Sequence, residues 1–71
     1  MERDEMINVL NFYFERSIII HIDTNDGKFY NGIVKSVKDD LLILDDRVLG
    51  EVAISIPNIQ NLERYKEREN D

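Results

Sequence analysis

Asn25-Asp26-Gly27 stands between two runs of apolar and β-branched residues, and no other stretch constrains the fold as firmly. These residue types tolerate the positive φ that a tight hairpin needs, so the tripeptide predicts a turn between antiparallel strands. A two-residue Asp26-Gly27 turn pairs Thr24 and Asn25 with Lys28 and Phe29. The strand before it, residues 18–24, puts Ile20, Ile22 and Thr24 on one side and Ile19, His21 and Asp23 on the other. The strand after it, residues 28–37, is long for a small domain and has Gly32 near its middle. Glycine there permits a sharp bend or a close backbone approach, so the sheet is expected to curl.

The same reading extends along the chain. Lys38-Asp39-Asp40 forms the next turn, and the apolar run at 41–44 predicts a third strand over 41–45, lying in the core. Asp45 and Asp46 stop that strand, and residues 47–50 make a loop. Residues 51–56 alternate as a fourth strand, with Val52, Ile54 and Ile56 on one face. Pro57-Asn58 breaks it and leads into a fifth strand at 59–63. Two short terminal strands are expected to be sheet edges, and apolar edges invite pairing with another chain. Ahead of the sheet, Met6, Ile7, Val9, Leu10, Tyr13 and Phe14 recur at helical spacing, predicting a helix over 4–15 with Asp4 as N-cap. At least two of Phe12, Tyr13 and Phe14 are expected to pack that helix on the sheet. Residues 64–71 are almost all charged, which predicts a disordered tail. The fold class is therefore mainly β with one N-terminal α-helix, in a single domain over residues 1–63.

A chain of 71 residues is near the lower limit for a self-sufficient core. With no cysteine to form disulfides, oligomerisation is the remaining common source of stability. The net charge of −6 weighs against nucleic-acid binding through a broad basic face, although not against a local nucleotide pocket. No apolar run spans a bilayer and the charged opening MERDE is unlike a signal peptide, so a cytoplasmic protein without a membrane partner is expected.

In order and spacing, the helix, Ile20-x-Ile22, Asp26-Gly27, Tyr30-x-Gly32-x-Val34, the Lys38-Asp39-Asp40 turn, the 41–44 run and the 54–59 segment resemble the Sm-like fold. Within that superfamily the chain most resembles the Hfq RNA chaperones, through Leu10-Asn11 in the helix and the short connections after the helix and after the third strand. The resemblance covers residues 6–62. It implies a strongly bent five-stranded antiparallel sheet of SH3-like open-barrel form, and a homohexameric ring in which strand four of one subunit pairs with strand five of the next. It also implies binding of single-stranded RNA in post-transcriptional regulation, with uridine pockets around a proximal pore and adenine-rich RNA on the distal face.

Residue by residue, the family's uridine pocket falls on Met6, Asp39, Asp40, Ser55, Ile56, Pro57 and Asn58. Asp39 and Asp40 stand where the family has a glutamine and a stacking aromatic. Ser55, Ile56 and Pro57 replace its tyrosine-lysine-histidine run. Hydrogen bonds to a uracil edge from Asn58, Ser55 or backbone groups remain open, with Ile56 or Pro57 as an apolar wall. The rim falls on Asn11 and Arg16, and the distal face on Gly27 and Asn31, with Asp23 where the family stacks a tyrosine.

The two Asp pairs are read as solubilising the turns at either end of one strand, about 15–20 Å apart and so outside any common metal or acid–base site. His21 has no nucleophile partner in the pattern and is read as a structural or surface residue. Phe29 and Tyr30 point to opposite faces, so one is core and the other surface. The expectation is an RNA-binding ring with no catalytic residues, no metal and no cofactor. The alternative is an Sm-like protein-interaction or scaffold module with weak or no RNA binding.

Overall fold

The computed structural model describes residues 2–66. One helix precedes five strands: α1 (Arg3–Arg16), β1 (Ile20–Thr24), β2 (Phe29–Lys38), β3 (Leu41–Asp46), β4 (Gly50–Ser55) and β5 (Ile59–Arg64), with a 3-10 turn at Ile56–Asn58. The strands form one antiparallel sheet in the order β4-β3-β2-β1-β5, the layout expected of an Sm-like fold. The two short strands β4 and β5 are its edges, as their sequence implied.

Connectivity alone forces this sheet to curl. β4 ends opposite the start of β3 beside Lys38, whereas β5 begins opposite Thr24, at the other end of β2. In a flat sheet those points lie about 30 Å apart along β2 and about 19 Å apart across it. The connection from Ser55 to Ile59 can reach only about 14 Å. Hydrogen bonds show the closure directly: Ile56 N–H donates to Asp40 O at 2.8 Å, and Asn25 N–H donates to Asn58 O at 2.8 Å. The 3-10 turn thus touches the turns at both ends of β2.

Two features allow the bend. A Cβ on Gly32 would sit 2.0 Å from the carbonyl oxygen of Asp45, so only glycine lets β3 approach there. Lys35 is a bulge, unpaired between Val34↔Leu44 and Ser36↔Ile43. The extra residue switches which positions face inward, from Gly32 and Val34 before it to Val37 after it. A comparable irregularity in β5 leaves Gln60 unpaired, so Ile59 and Leu62 both reach the core side.

The core consists of Met6 and Leu10 from α1, packed with Ile20, Ile22, Val34, Leu42, Leu44, Ile54, Ile56 and Ile59. Burying each large aliphatic side chain contributes about 1.5–3 kcal/mol. Only alternate members of the 41–44 run are buried: Leu41 is exposed and Ile43 half-buried, because one face of this sheet meets solvent.

Several boundaries differ from the sequence expectation. The hairpin loop has three residues, not two: Thr24 N–H bonds Lys28 O, Gly27 N–H bonds Thr24 O, and Gly27 alone among the loop residues has positive φ, +87°. The helix starts earlier, with Glu2 rather than Asp4 at the N-cap, and Glu2 makes no side-chain cap bond. Asp4 and Glu5 lie in the first turn, where the helix dipole favours negative charge. Ser17, at φ +53°, ends the helix; its N–H bonds Phe14 O, and Ile18 N–H bonds Tyr13 O. Arg64 belongs to β5, and Tyr65 N–H continues its pairing by bonding Ile19 O at 2.9 Å. The rest of the expected tail, from residue 67, lies outside the described residues.

Candidate functional site

The β2–β3 turn, the end of β4 and the 3-10 turn meet at one end of the sheet. Asp39 is exposed in the left-handed region at φ +55°. Asp40 is exposed too, and its carboxylate pairs with Arg3 Nε from α1. Ser55 is exposed opposite Leu41. Asp39, Asp40, Ser55 and the backbone of Ile56 are therefore brought together. Their surface carries two carboxylates where a stacked base would need an aromatic face.

Two other residues assigned to that pocket do not reach it with their side chains. Met6 is 7% exposed and Ile56 is 2% exposed, both within the core. Met6 lies one turn from Leu10 on the inward helix face, and Ile56 continues the inward series Val52, Ile54. Pro57 is exposed and Asn58 half-buried; their carbonyls accept bonds from Asn25, at 3.4 Å from its side-chain amide and 2.8 Å from its backbone. Asp26 lies below the usual carboxylate range chiefly because the Thr24 hydroxyl bonds it, with the Asn58 side chain adding to this. These residues brace the curled sheet.

On α1, Asn11 and Arg16 are both exposed, but five positions apart, which turns them roughly 140° around the helix from each other. The Arg16 guanidinium lies 4.1 Å from the Phe12 ring centroid. Of the three adjacent aromatics only Tyr13 packs against the core; Phe12 and Phe14 are each 47% exposed. The helix face is too narrow to bury consecutive residues.

Gly27 and Asn31 line different hollows. Asn31 Oδ1 is 2.6 Å from His21 Nδ1, and Asp23 Oδ1 is 3.0 Å from His21 Nε2. Both ring nitrogens thus face acceptors, and the imidazolium satisfies both. Partial burial opposes that charge, but Asn31, Asp23 and Glu63 outweigh it and raise the His21 pKa above its ordinary 6.5. Stability from this cluster is complete below 6.5 and is lost as pH rises through the raised folded value.

Asp46 is only 8% exposed. Its Oδ1 accepts N–H bonds from Val48 at 2.8 Å and Leu49 at 2.9 Å, and its Oδ2 accepts one from Asn31 at 3.1 Å. Burial alone would raise its pKa, but these backbone donors lower it. Asp46 is therefore a loop organiser, not a solubilising turn residue. The loop it holds displays Val48 at 88% exposure and Leu49 at 65%. Together with Phe29, also 65% exposed, they border a cleft of about 610 Å³. The Arg47 guanidinium closes one side, 5.2 Å from the Tyr65 ring centroid. Sequence reasoning missed this cleft by treating residues 47–50 as a plain loop and Tyr65 as tail. Adjacent apolar residues in that loop, and an aromatic among charges, were the available signals.

Among the described residues no cluster of His, Asp or Glu is placed to hold a metal ion, and no helix is long and apolar enough to cross a membrane. No protein-family model and no curated protein matches this chain.

Proposed function

We propose that this chain is a subunit of an Sm-like homo-oligomeric ring that binds single-stranded RNA. The observation that carries the reading is the sheet itself, whose two edges, β4 and β5, belong to one strongly curled layer. Each edge has backbone donors and acceptors open to another chain. Antiparallel pairing of β4 with β5 of a second copy satisfies both edges in a head-to-tail arrangement that closes as a ring. A hexamer fits the family resemblance. RNA affinity then arises by avidity, with one weak nucleotide site repeated around the ring. At the proximal end, exposed Ser55 supplies a polar contact and exposed Pro57 an apolar wall.

The second reading, a ring that scaffolds proteins without binding RNA, is favoured by Asp39 and Asp40 on the pocket surface and by the net charge of −6. Light scattering in solution tests the first part: the expected mass is six times the 8.4 kDa chain, and a stable monomer would sink the ring. Titration with short uridine and adenine oligonucleotides across salt concentrations tests the second. Saturable binding that weakens with salt supports the RNA reading, and no binding at low salt favours the scaffold.

A further inference from the structure

Arg47 and Tyr65 form a wall shared by two adjoining hollows with different chemistry. On one side lies the cleft bordered by Phe29, Val48 and Leu49, which offers flat and aliphatic surface. Asn31 lies at its edge, with its amide oxygen occupied by His21 and its NH₂ free of intramolecular bonds among the described residues. On the other side lies a hollow of about 570 Å³ lined by Arg47, Arg64 and Lys66 and, among the described residues, by no carboxylate side chain; Glu63 lines a neighbouring hollow that shares Arg64, Tyr65 and Lys66. None of these three cations makes an ion pair among the described residues. In a chain of net charge −6 with nine basic residues, three cations without ion pairs among the described residues, beside an aromatic cleft, suit a phosphate next to a flat ring.

We propose that this double hollow is a nucleotide site. The base enters the cleft against Phe29 and the Arg47–Tyr65 pair, and the phosphate lies among Arg47, Arg64 and Lys66. Stacking needs exposed π-faces, and both Phe29 and the Arg47–Tyr65 pair border the cleft. The free Asn31 NH₂ favours a base edge that presents an acceptor. The ligand chemistry is a nucleoside phosphate, either free or within a single strand. The strand form rests on the RNA-binding reading above; the site does not use the Asp39–Asp40 surface.

NMR titration of the full chain tests the site, with adenosine and uridine monophosphates in one arm and short oligonucleotides in the other. The expected result is perturbation of the Phe29 and Tyr65 ring resonances and the Arg47 side chain. Phe29→Leu should weaken binding about tenfold or more, the scale of one lost base stack. Arg47→Gln and Arg64→Gln should each lower the salt dependence by about one ion. Lys35→Gln removes the same charge outside both hollows and should leave affinity unchanged. Comparable affinity for a mononucleotide and a strand assigns the site to a free nucleotide; much tighter strand binding assigns it to RNA. Oligonucleotide binding that perturbs only Asp40, Ser55 and their neighbours overturns this site and leaves the RNA reading standing. Failure of every nucleotide to bind overturns both. If Phe29→Leu changes the oligomer mass but not the affinity, the cleft is a contact between copies and the site is overturned.

Discussion

Asp39-Asp40 and Asp45-Asp46 are the same dipeptide placed at the two ends of β3. At the first end both side chains are exposed; Asp39 takes a left-handed turn conformation and Asp40 meets Arg3 across the surface. At the second end Asp46 is buried and gathers three backbone N–H groups, while the carbonyl of Asp45 lies against Gly32. The difference is one of strand membership. Leu42, Leu44 and Asp46 share the inward face of β3, whereas Asp39 and Asp40 precede the strand and have no inward position to occupy. Identical residues therefore solubilise one turn and organise the other.

The largest effect expected from disturbing this contrast is at Gly32. Gly32→Ala puts a Cβ into the Asp45 carbonyl and should destabilise the fold by about 3 kcal/mol or more, at the upper end of overpacking costs. Urea unfolding measures it; a loss below 1 kcal/mol would mean that β3 can move away freely. Next is Asp46→Ala, which strands three N–H groups and should cost about 2–3 kcal/mol, with accelerated amide exchange at Val48 and Leu49. Unchanged exchange there would show that the loop holds itself.

A smaller effect is expected from pH. Because the Asp46 pKa is lowered from 3.8, its contribution is present above 3.8 and lost as pH falls through the lower folded value. Asp46→Asn should flatten the acid limb of the stability profile, measured by urea unfolding across pH. The smallest effect is that of Asp40→Ala. Its ion pair with Arg3 is more than half exposed on both sides, so the loss should be about 0–1 kcal/mol and should shrink further in salt. A loss as large as that of Asp46→Ala would erase the contrast between the two ends.

Local pattern carried far in this chain. The β-branched alternation at Ile20 and Ile22, the inward series Val52, Ile54, Ile56 and the turn glycine all do their work within a few residues, so the elements were legible before any contact was known. The hairpin loop was one residue longer than expected because Asn25 is recruited by Asn58 and Pro57, partners more than thirty positions away. The bulge at Lys35 was also hidden, since a strand read alone does not reveal which partner residue goes unmatched. The candidate site was less legible still. The family resemblance implies a surface pocket at Met6 and Ile56, and packing places both in the core.

The sequence by itself determined the element types and the two-sided character of β1 and β4, and it left open whether Gly32 marks a bend or a close approach. The alternation follows from periodicity and needs no distant partner, whereas the close approach at Gly32 is set by the Asp45 carbonyl of β3. Only the tertiary structure decided which Asp is buried, that the 3-10 turn ties both ends of β2 together, and that Arg47 meets Tyr65 beside Phe29. Those depend on curvature, which sums small local twists over five strands and brings together residues whose sequence neighbourhoods hold no record of one another.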